Sequence, residues 1–250
     1  MIKPQRMTPP RPSVPHLSVI TTTDPLGGQL HHLIDELSML SVMMAQIVQV
    51  VIVDDLNQWK GSPPTTCLLR PGLQITPVCP THHMGQAEAL FFGTKHCRAP
   101  ILLTIDPDLH PSVKELQEPL RMVERNNLII HGVRRDRDDA GYVRIIGSYI
   151  MNTLTRVMTQ LEIRDLGCAL TILRRDEIRV LNDMPANITN KRLYLYSKSR
   201  ERVKEYLLAN GSLRESTSQY CISSLAAVAI QLLRDCISIR LEQKSPGRKE

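Results

Sequence analysis

Residues 101–105 of this 250-residue chain read ILLTI and are followed at once by Asp106-Pro107-Asp108, the clearest indication of its fold class. Five residues with one polar side chain among them predict a strand covered on both faces, as in a mostly parallel sheet that lies between helices. An acidic pair directly after such a strand lies at the carboxyl edge of the sheet, where open α/β sheets bind their ligands. The stretch therefore predicts an α/β fold with an acidic ligand site.

The rest of the chain continues this alternation of apolar runs and helical patterns. Strands are predicted at residues 16–22, 48–53, 73–78, 101–105, 128–132 and 169–173. Helices are predicted at residues 29–43, 85–96, 112–124, 143–161 and near 221–241. Strands that alternate with helices indicate a mostly parallel sheet flanked by helices.

Three segments are predicted along the chain. Residues 1–15 are rich in proline and lack the apolar core of a signal peptide, so they are expected to form a disordered leader. Residues 16–184 are expected to form the α/β domain, and residues 185–250 a divergent, less regular extension that ends in an amphipathic helix. Within that extension, Tyr194 and Tyr196 alternate like one face of a strand.

Composition limits the classes of partner. The formal net charge of +6 favours phosphate-bearing ligands in general, but with only 4% aromatic residues the chain lacks the stacking platforms of nucleic-acid binders, so no nucleic-acid partner is expected. Six scattered cysteines without a C-x-x-C pair argue against zinc and disulfide frameworks and favour a cytoplasmic protein. No run reaches the roughly 18 apolar residues that span a bilayer.

The aspartates after the fourth predicted strand are the first candidate site. In extended chain the side chains of Asp106 and Asp108 point to the same face, and Pro107 favours an extended Asp106. Two carboxylates suit Mg²⁺ or Mn²⁺, with His110 as a further nitrogen ligand. The alternative is a solvated turn after the strand.

Five motifs, in family order and near family spacing, carry a resemblance over roughly residues 17–181. They are Val53-Asp54-Asp55 (similar to V-D-D-G-S), Gly85/Ala89/Gly93 (G-x-x-x-A-x-x-x-G), Asp106-Pro107-Asp108-Leu109-His110 (D-A-D-L-Q), Val133-Arg134 through Arg137 to Asp139 (G-x-R-x-x-R-x-D), and Asp165/Gly167/Cys168/Leu170/Arg174/Arg175 (D-x-G-C-x-L-x-x-x-R-R). In these motifs the chain resembles the family-2 glycosyltransferases that load sugars onto polyprenyl phosphates.

The resemblance implies a GT-A fold and a metal-dependent transfer of a sugar from a nucleoside diphosphate to an acceptor such as a polyprenyl phosphate. It implies that a donor site is formed by Asp54, Asp55, Gly85 and Asp106, with Asp24 as a partial substitute for the family's first-strand residues. It further implies that Asp106, Asp108 and His110 hold the metal, that Arg134 and Arg137 bind phosphate, and that Asp165 is the catalytic residue near the acceptor. The alternative for both arginines is a solvated run of charge.

The resemblance is incomplete in the donor site. Thr21-Thr22-Thr23-Asp24-Pro25 stands where the family has P-x-Y-N-E, and Leu56 and Asn57 replace the glycine and serine after the second-strand aspartates. Two hypotheses therefore stay open: a transferase with altered donor specificity, or a non-catalytic partner protein on a degenerate GT-A scaffold.

The C-terminal segment raises the question of a membrane. Residues 221–233 carry no charge, yet they are too few to span a bilayer. They are expected either to pack into the domain or to lie in the membrane interface, with Lys244, Arg248 and Lys249 near anionic headgroups. The resemblance favours peripheral contact with the cytoplasmic membrane face.

Overall fold

The computed structural model describes residues 14–23, 29–59, 70–109, 111–134, 142–208 and 222–244. The strands are β1 (Leu17–Thr22), β2 (Val48–Val53), β3 (Leu73–Val78), β4 (Ile101–Thr104), β5 (Ile129–Arg134), β6 (Thr171–Arg174) and β7 (Val203–Leu208). The α-helices are α1 (Gln29–Met44), α2 (Gln86–Thr94), α3 (Val113–Asn126), α4 (Tyr142–Thr159), α5 (Lys191–Lys198) and α6 (Ile222–Lys244). Two 3₁₀ helices span Arg175–Asp183 and Arg200–Arg202.

The seven strands form one sheet in the order β3-β2-β1-β4-β6-β5-β7. Strand β6 runs antiparallel to β4 and β5, whereas every other pair is parallel. The mostly parallel α/β sheet predicted from the alternation is therefore confirmed. All residues of β1, β2 and β4 are buried, as expected for central strands covered on both faces.

Helices cover both faces of the sheet. Apolar side chains of α1 and α3 pack on one face with Leu17, Val19 and Leu103, while α2, α5 and α6 pack on the other with Ile20 and Leu102. Helix α3 begins with a capping box between Ser112 and Glu115, which satisfies backbone donors at its first turn.

The G-x-x-x-A-x-x-x-G motif serves the packing of α2 on the sheet. Ala89 is fully buried, and a Cβ atom at Gly93 would lie 2.4 Å from Ile20 Cγ2 and 3.0 Å from Val53 Cγ2. Only a residue without a side chain lets α2 approach β1 and β2 so closely.

Beyond residue 184 the structure differs from the sequence prediction. The expected strand face at Tyr194 and Tyr196 is wrong, because both tyrosines lie in the short helix α5 with their rings buried. Asn190 caps α5 by accepting a hydrogen bond from Leu193 N at 2.9 Å, a start signal that favours a helix. Strand β7 pairs with β5, and α6 buries Cys236 and Ile239 in the core. The C-terminal residues therefore complete the same sheet and core.

Candidate functional site

The sheet has a topological switch point between β1 and β4. From β1 the strand order continues through β2 to β3 on one side, whereas β4 lies on the other side of β1. Ligands of open α/β sheets bind outside the carboxyl ends of the strands at such a point. Thr23 follows β1 there, Asp54 and Asp55 follow β2, and Asp106 follows β4. The predicted acidic segments thus share one edge of the sheet.

The Asp106-Pro107-Asp108-Leu109 segment is a tight turn. Leu109 N donates to Asp106 O at 3.1 Å, so the chain reverses after β4 instead of continuing as a strand. The extended geometry predicted through Asp108 is therefore wrong, because proline at the second position of a four-residue segment favours a turn. Asp106 and Asp108 are half-buried, and Gln86 Nε2 at the start of α2 donates to Asp106 Oδ1.

The donor set of this turn suits a hard cation. Two carboxylates at half-buried positions supply the type of oxygen ligand that Mg²⁺ and Mn²⁺ prefer. His110, the third predicted ligand, lies outside the described residues. Among the residues that the structure describes, no three His, Cys, Asp or Glu side chains form a cluster that could hold a metal ion.

Asp54 organises the loop after β2. Its carboxylate accepts hydrogen bonds from Thr23 Oγ1 at 3.2 Å and from the backbone amides of Gln58 and Trp59, both at 2.8 Å. Only 1% of Asp54 is exposed. The carboxylate thereby joins the ends of β1 and β2, and the Trp59 side chain packs against the core.

Asp55 joins the same strand to the start of α2. It accepts hydrogen bonds from the amides of Met84 at 2.8 Å and Gly85 at 2.9 Å, and His83 Nδ1 lies 2.7 Å from its Oδ2 atom. Gly85 has a φ of 83°, a left-handed conformation that glycine adopts without strain. The predicted donor residue Gly85 thus lies directly beside Asp55, and Gln86 after it reaches Asp106.

Arg134 and Asp165 form a bidentate ion pair at the end of β5. Arg134 Nε and Nη2 donate to the two carboxylate oxygens at 2.8 and 3.1 Å, with side chains 18% and 6% exposed. Burial by itself would lower the pKa of Arg134, but the hydrogen bonds and charge of Asp165 outweigh it, and Asp106 adds in the same direction, so this pKa is raised. Arg134 is thus fully charged and already paired with a carboxylate.

Behind Asp165 lies a buried polar relay that the sequence pattern does not reveal. His131 Nε2 donates to the backbone oxygen of Asp165 at 2.8 Å, Tyr196 donates to His131 Nδ1 at 3.0 Å, and Thr171 Oγ1 donates to Tyr196 at 2.8 Å. These proton positions follow from the partners, since a carbonyl only accepts and the imidazole is neutral. Burial, helped by the charge of Arg192, lowers the pKa of His131 to about 4. The relay fixes the backbone that carries Asp165.

Three predicted site residues, Asp24, His110 and Arg137, lie outside the described residues. The structure brings together the other segments at the carboxyl edge, including Asp106 and Asp108 after β4 and the Arg134–Asp165 pair beside β6. It also adds Gln86 and Thr23, which the sequence prediction missed. For Gln86 the signal was its place directly after Gly85 in the glycine motif.

Solved structures share this architecture. Glucosyl-3-phosphoglycerate synthase from Mycobacterium tuberculosis, in complex with Mn²⁺ and UDP-glucose, aligns with a TM-score of 0.60 at 14% identity over 94% of this chain and 81% of that chain. A mannosyltransferase from Pyrobaculum calidifontis, in complex with GDP-mannose and Mn²⁺, aligns with a TM-score of 0.53 at 15% identity over 98% of this chain and 79% of that chain. The chain has the GT-A glycosyltransferase fold.

Within that class the chain is similar to the polyprenyl-phosphate sugar transferases, which confirms the resemblance predicted from the five motifs. Dodecaprenyl-phosphate galacturonate synthase of Rhizobium johnstonii is 26% identical over 182 residues, which are 71% of this chain and 53% of that protein. Undecaprenyl-phosphate 4-deoxy-4-formamido-L-arabinose transferase of Edwardsiella ictaluri is 24% identical over 139 residues, 55% of this chain and 42% of that protein. The chain thus spans about half the length of these relatives, and no protein-family profile matches it.

Among the described residues, no helix combines the length and apolar character that crossing a bilayer requires. Helix α6 instead packs through one side on the domain: Asp235 accepts hydrogen bonds from Thr189 N at 3.0 Å and from Asn190 N at 2.8 Å. Its other side exposes Ile230, Ile237 and Leu241, and Val228 nearer the start of the helix is also exposed.

Proposed function

We propose that the chain transfers a sugar from a nucleoside-diphosphate donor to an acceptor, with the carboxyl edge of β1, β2 and β4 as its donor site. The observation that carries this proposal is the turn at Asp106–Asp108, located beside the switch point of a GT-A sheet and bonded to α2 through Gln86. The GT-A relatives solved with sugar nucleotides support the same class of donor.

A divalent cation, Mg²⁺ or Mn²⁺, is part of the proposal. Asp106, Asp108 and His110 would hold it, and it would neutralise charge on the diphosphate of the leaving group. Gln86 would orient the Asp106 carboxylate through its amide. The structures of two GT-A relatives in complex with Mn²⁺ support a metal of this kind.

The chain's own residues divide the remaining work. Asp54 accepts hydrogen bonds chiefly from the loop after β2, and Asp55 accepts them from the segment before α2. Both would therefore act on the nucleotide mainly by shaping these segments, and a direct contact with base or ribose stays a prediction. Asp165 occupies two N–H groups of Arg134, so Arg134 would donate to phosphate only through its other N–H groups. Asp24 and Arg137 stay candidates for donor and phosphate contacts.

Asp165 fits an orienting role near the acceptor better than the role of a general base. Both of its oxygens accept hydrogen bonds from Arg134, and its backbone is fixed by His131. A phosphate acceptor is already an anion and needs little base assistance. This accords with a polyprenyl phosphate as acceptor, the substrate type in the names of the curated relatives.

Calorimetry with nucleoside diphosphates tests the donor site. UDP and GDP should be titrated into the full chain with Mn²⁺, with Mg²⁺ and with chelator, and a set of sugar nucleotides should then be screened for consumption in the presence of a lipid-phosphate acceptor. We expect one diphosphate to bind only when metal is present and one sugar nucleotide to be consumed. Binding without consumption would favour the non-catalytic scaffold, and the absence of both would contradict the proposal.

A lipid acceptor implies contact with a membrane surface. We propose that the exposed apolar side of α6 contacts the cytoplasmic face of the membrane. Ile237 and Leu241 are 48% and 61% exposed, whereas Cys236 and Ile239 beside them are buried in the core. Deleting α6 would therefore disturb the fold, so the test is Ile237→Ser with Leu241→Ser. Flotation with anionic vesicles should fall for this pair and should not change for Met39→Ser with Val42→Ser, exposed apolar residues of α1. Equal flotation of all three proteins would contradict the contact.

A further inference from the structure

An open groove lies at the opposite edge of the sheet from the proposed donor site. It has a volume of about 480 Å³, and its polar lining consists mainly of Lys95, Arg174, Arg175, Asp176, Arg179 and Asn182. The lining therefore carries four cationic side chains and one carboxylate. Arg174 and Arg175 are the last two residues of the D-x-G-C-x-L-x-x-x-R-R motif, and the proposed donor site gives them no role.

The strand register sets the distance between the groove and the donor edge. Arg174, the last residue of β6, pairs with Ile101, the first residue of β4. Asp106 lies five residues further along that strand direction, about 16 Å away at the usual rise per residue. A ligand in the groove is therefore outside contact distance of the Asp106–Asp108 turn.

The cations of the groove are available to an anion. The Arg174–Asp176 pair has a separation of 3.7 Å, with side chains 39% and 58% exposed, so it holds Arg174 only weakly. Lys95 Nζ lies 5.7 Å from the centre of the Phe92 ring. Within the part of the chain that the structure describes, neither Lys95 nor Arg179 has a carboxylate partner within ion-pair distance.

Arg175 is fixed in place without losing its charge. Its Nη1 atom donates to the backbone oxygens of Cys97 and Arg98, both at 3.2 Å, and its backbone amide donates to Pro100 O at 2.8 Å. Carbonyl partners orient a guanidinium but do not neutralise it. A planar, permanently charged fork held in this way matches the oxygens of a phosphate.

We infer that this groove binds a phosphate-bearing anion at a second site, separate from the sugar-nucleotide donor. Three excess positive charges and oriented guanidinium groups favour a diphosphate-like anion over a single carboxylate. Because the groove is open to water, the affinity falls as salt rises. The anion has two possible sources, a free di- or polyphosphate and the headgroup of an anionic lipid.

The test uses the full chain with chelator present, so that binding of the diphosphate through a metal at the aspartate turn does not contribute. Pyrophosphate is titrated by calorimetry into the wild type, into Arg174→Gln with Arg179→Gln, and into Arg121→Gln with Arg125→Gln. The last pair removes the same charge from exposed positions of α3, on the other face of the sheet. Thermal unfolding of each variant verifies the fold.

We expect one pyrophosphate per chain, a loss of affinity of about tenfold or more for the groove variant, and less than about twofold for the α3 variant. Flotation with phosphatidylglycerol vesicles distinguishes the sources: vesicle binding that only the groove variant loses assigns the headgroup, and pyrophosphate binding alone assigns a free anion. No binding of either probe, or an equal loss in both variants, overturns the second site. These outcomes are independent of the donor site, which is tested with metal present.

Discussion

Two acidic pairs follow buried strands of the same sheet. They differ in burial and in the hydrogen bonds that they accept from the protein itself. After β2, Asp54 and Asp55 are 1% and 8% exposed, and their oxygens accept hydrogen bonds from loop amides and from the Thr23 hydroxyl. After β4, Asp106 and Asp108 are half-buried in a turn, and the Asp106 carboxylate accepts a hydrogen bond from the side-chain amide of Gln86 in α2. The first pair supports loops, and the second faces the open edge.

The difference shows that an acidic pair at a strand end acquires its role from the chain that follows it. The loop after β2 turns the amides of Gln58 and Trp59 back toward the strand, where they donate hydrogen bonds to Asp54. These hydrogen bonds compensate for the hydration that the Asp54 carboxylate loses when it is buried. Pro107 has no amide hydrogen, so this position of the turn after β4 cannot donate a backbone hydrogen bond to either carboxylate.

The largest effect on stability is expected for Asp54→Ala. The substitution removes three hydrogen bonds to a buried carboxylate and leaves the amides of Gln58 and Trp59 without that acceptor. The free energy of unfolding should fall by about 3 kcal/mol, measured by urea denaturation. The control is Asp35→Ala, which removes a 57% exposed partner of Arg70 and should cost less than about 1 kcal/mol. Equal losses would remove the distinction between buried and exposed carboxylates.

An intermediate effect is expected from pH at His131 within β5, a buried neutral imidazole that contrasts with the buried carboxylates after β2. The pKa of His131 falls from 6.5 to about 4 on folding, so the unfolded chain binds the proton first as the pH drops. Stability from this group is complete above about pH 6.5 and is lost as the pH falls toward 4. Between pH 7 and pH 5 the loss should be about 2 kcal/mol.

The matched variant for this pH effect is His131→Asn, which keeps a polar side chain but does not titrate. Its stability at pH 7 should be lower than that of the wild type, because the relay to Tyr196 is broken. Its further loss between pH 7 and pH 5 should be smaller by about 2 kcal/mol. Parallel pH profiles for the two proteins would show that His131 is not the titrating group.

The sequence predicts the strands of the site well but not the detailed geometry that follows them. Six apolar runs predict β1 to β6, and the signal is clearest for β1, β2 and β4, because a central strand is apolar on both faces. Strand β7 escapes prediction because Lys204 and Glu205 interrupt its apolar pattern, whereas β3, the other edge strand, contains no charged residue. The buried His131–Tyr196–Thr171 relay escapes too, since its members lie up to 65 residues apart and are joined only by tertiary packing.

The smallest effect on stability is expected at the other acidic pair, where Asp108→Ala should cost less than about 1 kcal/mol. Asp108 is half-buried in the turn after β4, and the backbone hydrogen bond from Leu109 N to Asp106 O that closes this turn does not involve its side chain. The same substitution should abolish metal-dependent binding of a nucleoside diphosphate, because one remaining carboxylate seldom holds a divalent ion. Urea denaturation and calorimetry with Mn²⁺ on one preparation measure both quantities. Asp108→Ala and Asp54→Ala should then show opposite patterns. The first should give a stable protein without metal-dependent binding, and the second a destabilised protein that keeps the Asp106 and Asp108 carboxylates. If Asp108→Ala instead destabilises the chain as much as Asp54→Ala, with binding unchanged, the turn after β4 supports the fold and is not a metal site.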